Sequence, residues 1–394
     1  MAVLTADAES GKRGSPSATD VAAWRSAFPV TERYAYLDNA GVGPLPRPAA
    51  SAVAASLDLQ ARRGSLAHGE IHEVAEVLRR TMGQFLGVSA ETLAAVGSTS
   101  AGISVVAMGI DWRAGDNVIV AEIEFPSVIF PWMALAERGV EVRRVVCPGG
   151  CVDIASLLAS TDSRTRVVAV SWVQFSTGFR IDLGELGHAC HSRGIMLIVD
   201  GMQGVGALSL DLSTMPVDAF ATQSYKWLLS PHGVGWLYLH KNVFEHLQLS
   251  SAGPRTVTAR QSFLDHRFEL RTDAQRFESG ILNFHAMAGA LASLRLLSAI
   301  GIETIETRVL ALAARLAEGL RTRGFAVVGQ PGHQSEGSGI VVCSHPRIDP
   351  ADCQSRLLDA SVVTSVRGGR LRISPHFFNT EDEVDLVLSV LAKC

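Results

Sequence analysis

A chain of 394 residues, 47% hydrophobic and 19% charged, reads as a compact globular protein with room for a large domain and a smaller companion. The net charge of −4, without any block of Lys and Arg, argues against nucleic acid or an anionic membrane as partner, and no apolar run of about 18 residues spans a bilayer. The six cysteines are scattered with no C-x-x-C pair, and Cys147 with Cys151 lacks the histidines of a zinc site, so no metal and reduced, cytoplasmic thiols are expected.

Residues 1–20 carry Ser, Ala, Gly and charge without periodicity or an apolar core of signal-peptide length, and read as a flexible tail. Order is expected from Val21. Tyr36-Leu37-Asp38-Asn39-Ala40-Gly41 reads as a short extended piece ending in a turn, and helical spacing follows at Arg47–Arg62 and Ile71–Leu86. Ser98-Thr99-Ser100-Ala101-Gly102 then opens an apolar helical run. Such a terminus offers free N–H groups and a favourable dipole to a phosphate, although a simple N-cap has the same appearance. Strands are expected at Asn117–Ala121, Val142–Val146 and Val167–Val173, and Leu183–Arg193 has helical spacing. Strands alternating with helices argue a mainly parallel sheet covered on both sides.

The densest chemistry lies between Gly194 and Leu239. Ile195–Val199 reads as a strand buried on both faces that delivers Asp200 at its C-terminal end, where open α/β sheets hold ligands. A second apolar run, Val217–Ala221, leads through Thr222, Gln223, Ser224 and Tyr225 to Lys226, and Gly235–Leu239 forms another strand. A lysine among apolar and hydroxyl residues near a buried acid suits pyridoxal phosphate. That cofactor needs an amine for its aldehyde, a carboxylate to keep its ring nitrogen protonated, and donors for its phosphate.

His240–Gln275 is polar, and Arg276-Phe277-Glu278-Ser279-Gly280-Ile281-Leu282-Asn283 follows. Helical patterns at Ala286–Ile300 and Glu303–Arg323 lead to short strands at Ala326–Val328 and Gly339–Cys343, a helix at Asp349–Leu358 and a strand at Arg370–Ser374. The expected division is a flexible tail at 1–20, a large cofactor-binding domain at 21–285 and a small α+β domain at 286–394.

D-G-x-Q at Asp200–Gln203, followed by the polar run ending in K-W-L-L-x-P-x-G-x-G from Lys226, resembles the class V aminotransferase family of fold-type I enzymes, which includes cysteine desulfurases, selenocysteine lyases and isopenicillin N epimerase. The resemblance extends from Tyr36 to about Asp385. It implies a homodimeric α/β enzyme with a mainly parallel sheet, using pyridoxal 5'-phosphate on a small amino-acid substrate. Lys226 is implied to hold the cofactor's aldehyde, Asp200 its ring nitrogen and Gln203 its phenolic oxygen. Thr99, Ser100, Ala101, Gln223 and Tyr225 are implied to contact the phosphate or the rest of the cofactor. Phe125 falls where the family stacks an aromatic ring, and Gln174 follows the strand whose loop approaches the cofactor. Asn39 and Ala40 become candidate substrate neighbours, and Arg372 matches the arginine that grips the substrate's carboxylate. The segment Ser279–Asn283 matches one that reaches the neighbouring subunit's phosphate, but Ile281 replaces its threonine.

Persulfide-forming desulfurases carry a cysteine just before the arginine strand. Here Val363-Thr364-Ser365-Val366-Arg367-Gly368-Gly369 has none, and Cys353 lies on an expected helix. The expected reaction is removal of the Cα proton followed by a C–S lyase-like β-elimination without a persulfide cysteine, with transamination or epimerization as alternatives and a non-catalytic binding protein as the alternative of another class. Arg367 and Arg370, beside the Gly-Gly hinge, are candidates for contact with an acidic or bulky side chain, or are simply solvated. A nucleotide enzyme lacks support, because Gly204-Val205-Gly206 is not followed by a third glycine and no P-loop occurs.

Overall fold

The computed structural model describes residues 17–258, 264, 266–329 and 337–392. Residues 1–16 of the expected tail and part of the expected polar region His240–Gln275 therefore lie outside the described residues. Residues 17–20 do not continue a tail. Ser17 caps helix Ala18–Arg25, its Oγ accepting from the Asp20 N–H (3.2 Å) while the Asp20 carboxylate accepts from the Ser17 N–H (3.0 Å). This reciprocal box satisfies two N–H groups that a helix start otherwise leaves orphaned, so the helix begins ahead of Val21.

The strands in chain order are β1 (Ala35–Tyr36), β2 (Leu93–Val96), β3 (Asn117–Ala121), β4 (Glu141–Val145), β5 (Thr165–Ser171), β6 (Met196–Asp200), β7 (Ala219–Gln223), β8 (Gly235–Leu239), β9 (Ala326–Val328), β10 (Val341–Ser344), β11 (Val362–Val363), β12 (Ser365–Arg367) and β13 (Arg370–Ile373). Seven of them form a sheet in the order β2-β8-β7-β6-β5-β3-β4, in which only β8 runs against the others. The fold is α/β with a mostly parallel sheet flanked by helices.

Both faces of this sheet are covered, which is why β3 and β8 are buried at every position and read as unbroken apolar runs rather than alternating ones. Val168, Val170, Leu197 and Val199 belong to the core on one face, and Val167, Ala169 and Ile198 to the core on the other. Helix Phe284–Ile300, placed with the C-terminal part in the sequence reading, packs on helices Arg47–Arg63 and His68–Leu86, and its buried residues join the first of these cores.

A third core lies under an antiparallel sheet of order β12-β13-β10-β9, filled by Leu312, Leu316 and Leu320 of helix Ile302–Arg321 and by Val384 and Val387 of helix Glu381–Leu391. Ala35 and Leu37 belong to this core, and β1 pairs parallel with β11. The chain segment just after β1 is thereby held between the two sheets, beside the carboxyl ends of the large sheet's strands.

Candidate active site

Parallel strands aim their carboxyl ends at one edge of the sheet, and every loop of the cavity leaves such an end. Helix Thr99–Gly109 follows β2, Phe125 follows β3, Val173 and Phe175 follow β5, Asp200 ends β6, and Gln223 ends β7 ahead of Tyr225 and Lys226. Thr99, Ser100, Phe125, Asp200, Gln203, Gln223, Tyr225 and Lys226 line one cavity, as the sequence groups them.

Local backbone constraints fix the two central groups. Gly201 follows Asp200 because a Cβ there would meet the Phe220 ring at 1.9 Å, so the D-G pair is a packing requirement of β6 against β7. Gly43 passes so close to the lysine's own peptide that a Cβ would lie 2.0 Å from Lys226 O, and its N–H donates to Tyr225 O (2.9 Å). On the far side Leu229 takes a left-handed φ of 55°, with its carbonyl accepting from Ser293 Oγ (2.6 Å). Lys226 thus sits at the apex of a turn braced from two directions.

The charges are poised rather than quenched. Burial pushes the Asp200 carboxyl up to about 6, opposed by the Met202 N–H donating to its Oδ1 (2.8 Å) and by the nearby Lys226. Burial likewise pushes the Lys226 amine down to about 8 against the pull of Asp200. Among the described residues its Nζ has no hydrogen-bond partner, and it lies 5.9 and 5.8 Å from the Phe125 and Tyr225 ring centroids. The residue is half-buried at the cavity wall, where an amine held between two rings without an acceptor is open to a ligand.

Thr99 Oγ1 is buried without a partner among the described residues, at the start of a helix whose Ser98 side chain accepts from the Ala101 N–H (3.0 Å). Ser100 Oγ donates to Ser127 Oγ (2.8 Å) at the same mouth. Gln203 is buried and bridges two loops, donating to Ala40 O (3.1 Å) and accepting from Trp227 Nε1 (2.8 Å). Gln223 donates to Gly97 O (3.1 Å), and Tyr225 stacks on His232 with ring centroids 4.2 Å apart. His376 accepts the Phe377 N–H on Nδ1 (2.8 Å) and so donates from Nε2 to Trp227 O (2.9 Å); burial holds it neutral, its pKa pushed down to about 4.

The opposite wall comes from the small sheet. Arg372 is buried, with Nη1 donating to Phe175 O (3.3 Å), Nη2 to Asp38 Oδ1 (3.2 Å) and Nε to Ser365 Oγ (3.3 Å). Burial is the main influence lowering its pKa, and Asp38 opposes it. Asn39 and Ala40 lie behind this wall, bound to Ser374 through the Asn39 Nδ2 (2.8 Å) and the Ala40 N–H (3.0 Å). Ala101, Asn39, Ala40 and Arg372 thus border the cavity without forming its inner lining.

Gln174 is a correction. It is fully buried and points away from the cavity, donating from Nε2 to Glu124 Oε1 (2.6 Å). The chain leaving β5 stays extended, so side chains alternate, and Val173 and Phe175 face the cavity while Gln174 faces the opposite way.

The sequence reading missed Asp38, Phe175, Ser365 and Glu124. Glu124 is a buried carboxyl whose pKa burial pushes up to about 7, even though the Ser171 hydroxyl, the Ser171 N–H (2.8 Å) and Gln174 all donate to it. Its position immediately before Phe125 was the one available signal. Ser279–Asn283 exposes Ile281 almost completely, and Asn283 caps helix Phe284–Ile300 within its own chain. Among the described residues, no group of three or more His, Cys, Asp or Glu side chains is arranged to hold a metal ion.

The family model named Aminotransferase class-V matches residues 35–387. This chain belongs to the class-V aminotransferase family. It is 28% identical over 393 residues to a probable cysteine desulfurase of Methanothermobacter thermautotrophicus, covering 94% of this chain and 96% of that one. It is also 28% identical to the isopenicillin N epimerase of Amycolatopsis lactamdurans, covering 90% of this chain and 94% of that one. Among solved structures, the complex of a cystine C–S lyase with its reaction product cysteine persulfide superposes with a TM-score of 0.87 at 24% identity, covering 93% of this chain and 99% of that one.

Class-V enzymes use pyridoxal phosphate, and the chain is such an enzyme. The residues fit the cofactor on three observations among the described residues: an amine without a partner at Lys226, a carboxyl at Asp200 with Oδ1 alone engaged, and an orphaned hydroxyl at Thr99 on a helix start. Lys226 would hold the aldehyde, Asp200 the ring nitrogen, Phe125 a ring face, and Thr99, Ser100, Gln223 and Tyr225 the phosphate. When bound, the cofactor supplies an electron sink for a carbanion at the substrate's Cα.

Proposed function

We propose that this class-V enzyme cleaves the C–S bond of S-substituted cysteines by β-elimination, releasing pyruvate, ammonia and a thiol-bearing fragment without a persulfide on the protein. In this reading Arg372 orients the α-carboxylate with its planar fork, exchanging its contact with Asp38 for the substrate. Lys226, with its pKa pushed down to about 8, takes the Cα proton and is close enough to neutrality to return it to the departing sulfur. Phe125 and Phe175, packed edge to face with centroids 5.1 Å apart, shield that exchange from water.

The observation that carries the reading is that the hairpin bearing Arg372 has no cysteine, the thiols of Cys147 and Cys151 lying instead along the cleft that Arg370 borders. β12 and β13 join through Gly368 and Gly369 with no cysteine, and Cys353 and Cys343 are buried in the third core. Superposition on the cystine C–S lyase is in keeping with it. We also propose a homodimer in which the exposed Ile281 segment meets the second subunit.

Incubation with S-substituted cysteines tests the reaction. Stoichiometric pyruvate and ammonia are expected. Solvent deuterium entering Cα with racemization and no pyruvate would replace elimination by epimerization; amine transfer to a keto acid, or a persulfide on a cysteine of this chain, would also overturn it.

A further inference from the structure

The small sheet offers the cleft more positive charge than one carboxylate requires. β12 and β13 pair with Ser365 opposite Arg372 and Arg367 opposite Arg370. Opposed residues share a face and side chains alternate along each strand, so these four side chains project from one face of the hairpin. Arg372 identifies that face, because its guanidinium reaches Asp38 and the carbonyl of cavity-lining Phe175. Arg367 and Arg370 are the next pair outward and are exposed.

Among the described residues neither has an acidic partner within ion-pair distance, and Arg367 donates to the carbonyl of its neighbour Val366 (2.9 Å). Arg370 borders a second cleft, distinct from the Lys226 cavity and lined also by Cys147, Cys151 and by Ser176 and Thr177, the residues directly after cavity-lining Phe175. Arg367 adds to burial in lowering the pKa of both Lys226 and Arg372, so its charge reaches the site.

Building on the elimination reading, we infer that Arg367 and Arg370 form a subsite for a second, distal carboxylate, and that the preferred substrates are amino acids bearing an acid group beyond the sulfur. Arg370 and Arg372 are two residues apart on one strand, about 7 Å along it. That spacing approximates the extended distance between two carboxyl carbons separated by four chain atoms, as in S-carboxymethyl-L-cysteine or adipate. Guanidinium forks suit this task because each binds a planar carboxylate through paired N–H donors.

Binding and turnover separate this inference from the reading beneath it. Adipate and its monoamide have no amine and no leaving group, so titration calorimetry on the holoenzyme reports carboxylate recognition alone. Adipate is expected to bind about 10- to 100-fold more tightly than the monoamide, the range for hydrogen bonds to a charged group. The preference should fall to near unity in the Arg367→Ala, Arg370→Ala double variant, whose substitutions are at exposed positions. Equal affinities in the native enzyme, or a preference unchanged in the variant, would overturn the subsite. Pyruvate release from S-carboxymethyl-L-cysteine against S-carbamoylmethyl-L-cysteine supplies the second arm. Preferential binding with pyruvate from neither compound leaves the subsite standing and removes the elimination reading. Pyruvate at equal kcat/KM from both, with no binding preference, does the reverse.

Discussion

On the sheet side of the cavity, Asp200, Gln203, Gln223 and Lys226 come from one stretch of chain around two adjacent strands, β6 and β7, buried in the middle of the large sheet. On the opposite side, Asp38, Phe175 and the hairpin that carries Ser365 and Arg372 come from three separated segments and meet where the small sheet abuts the large one. The first wall is backed by close-packed core and has little freedom to vary. The second is a polar network across a seam between two cores, and its outer edge, Arg367 and Arg370, is exposed. Chemistry common to a family belongs on the first wall and on buried Arg372, and discrimination among substrates on the second wall's exposed outer edge, which can change by exchanging surface residues.

The sharpest break of the first wall is Lys226→Ala. It removes the base and the amine that holds the aldehyde, so pyruvate release should fall by roughly 10⁴-fold or more, and borohydride should no longer fix the cofactor to the protein. Retained borohydride labelling at another lysine would mean that this wall has been misassigned. The matching break of the second wall is Arg372→Lys, which keeps the charge and loses the fork. A rise in KM giving about a 100-fold loss in kcat/KM is expected, with the visible spectrum of the bound cofactor unchanged. A changed spectrum would couple the walls more tightly than their separate backing allows.

Asp38→Asn tests the second wall as structure. Arg372 is buried, and neutralising Asp38, its acidic partner among the described residues, leaves its charge uncompensated, costing about 3 kcal/mol of stability in denaturant titrations. A carboxylate ligand should restore more stability to this variant than to the native protein, because it replaces the lost charge.

Glu124 gives the corresponding pH test behind the first wall. Its folded pKa, about 7, lies above its unfolded value near 4.5. Its contribution to stability is therefore fully present below about 4.5 and is lost as pH rises through 7, where the buried carboxyl must ionise. Thermal midpoints of the native protein should decline relative to Glu124→Gln between pH 5 and pH 8. A difference independent of pH would show that Glu124 acts only through its hydrogen bonds.

The same contrast governs what was legible in the sequence. Asp200 and Lys226 were readable because an apolar strand announces its own C-terminal end, and both chemical groups sit at such ends. Arg372 was reached through resemblance, since its apolar neighbours Leu371 and Ile373 hint at burial but not at what the guanidinium meets. Asp38 could not be seen as its partner, because that contact depends on β1 pairing with β11, a register set by the third core. Gln174 failed on parity: with a side-chain period of two, an error of one residue exchanges the cavity for the interior, and the residue that faces the cavity is Phe175. The early start of helix Ala18–Arg25 was present in the sequence as Ser17 and Asp20, but composition favoured a tail.

The smallest expected effect concerns Phe125, a cavity residue that follows β3, outside the stretch forming the first wall, and is 42% exposed. Its backbone caps helix Pro126–Met133 without a side-chain hydrogen bond, so its identity is not required for that helix to form. The ring packs edge-on against Phe175, which in turn accepts from Arg372 through its carbonyl, making it a bridge between the walls. Phe125→Leu keeps apolar bulk and removes the ring face, so the loss should be that of one aromatic contact, about 1 kcal/mol, or roughly a five-fold drop in kcat/KM. If Phe125 acts on the cofactor side, this drop should accompany weaker retention of pyridoxal phosphate during dialysis and leave the adipate preference unchanged. If it acts through Phe175 on the substrate side, cofactor retention should hold while the affinity for both adipate and its monoamide falls equally, because Arg372 grips the carboxylate they share.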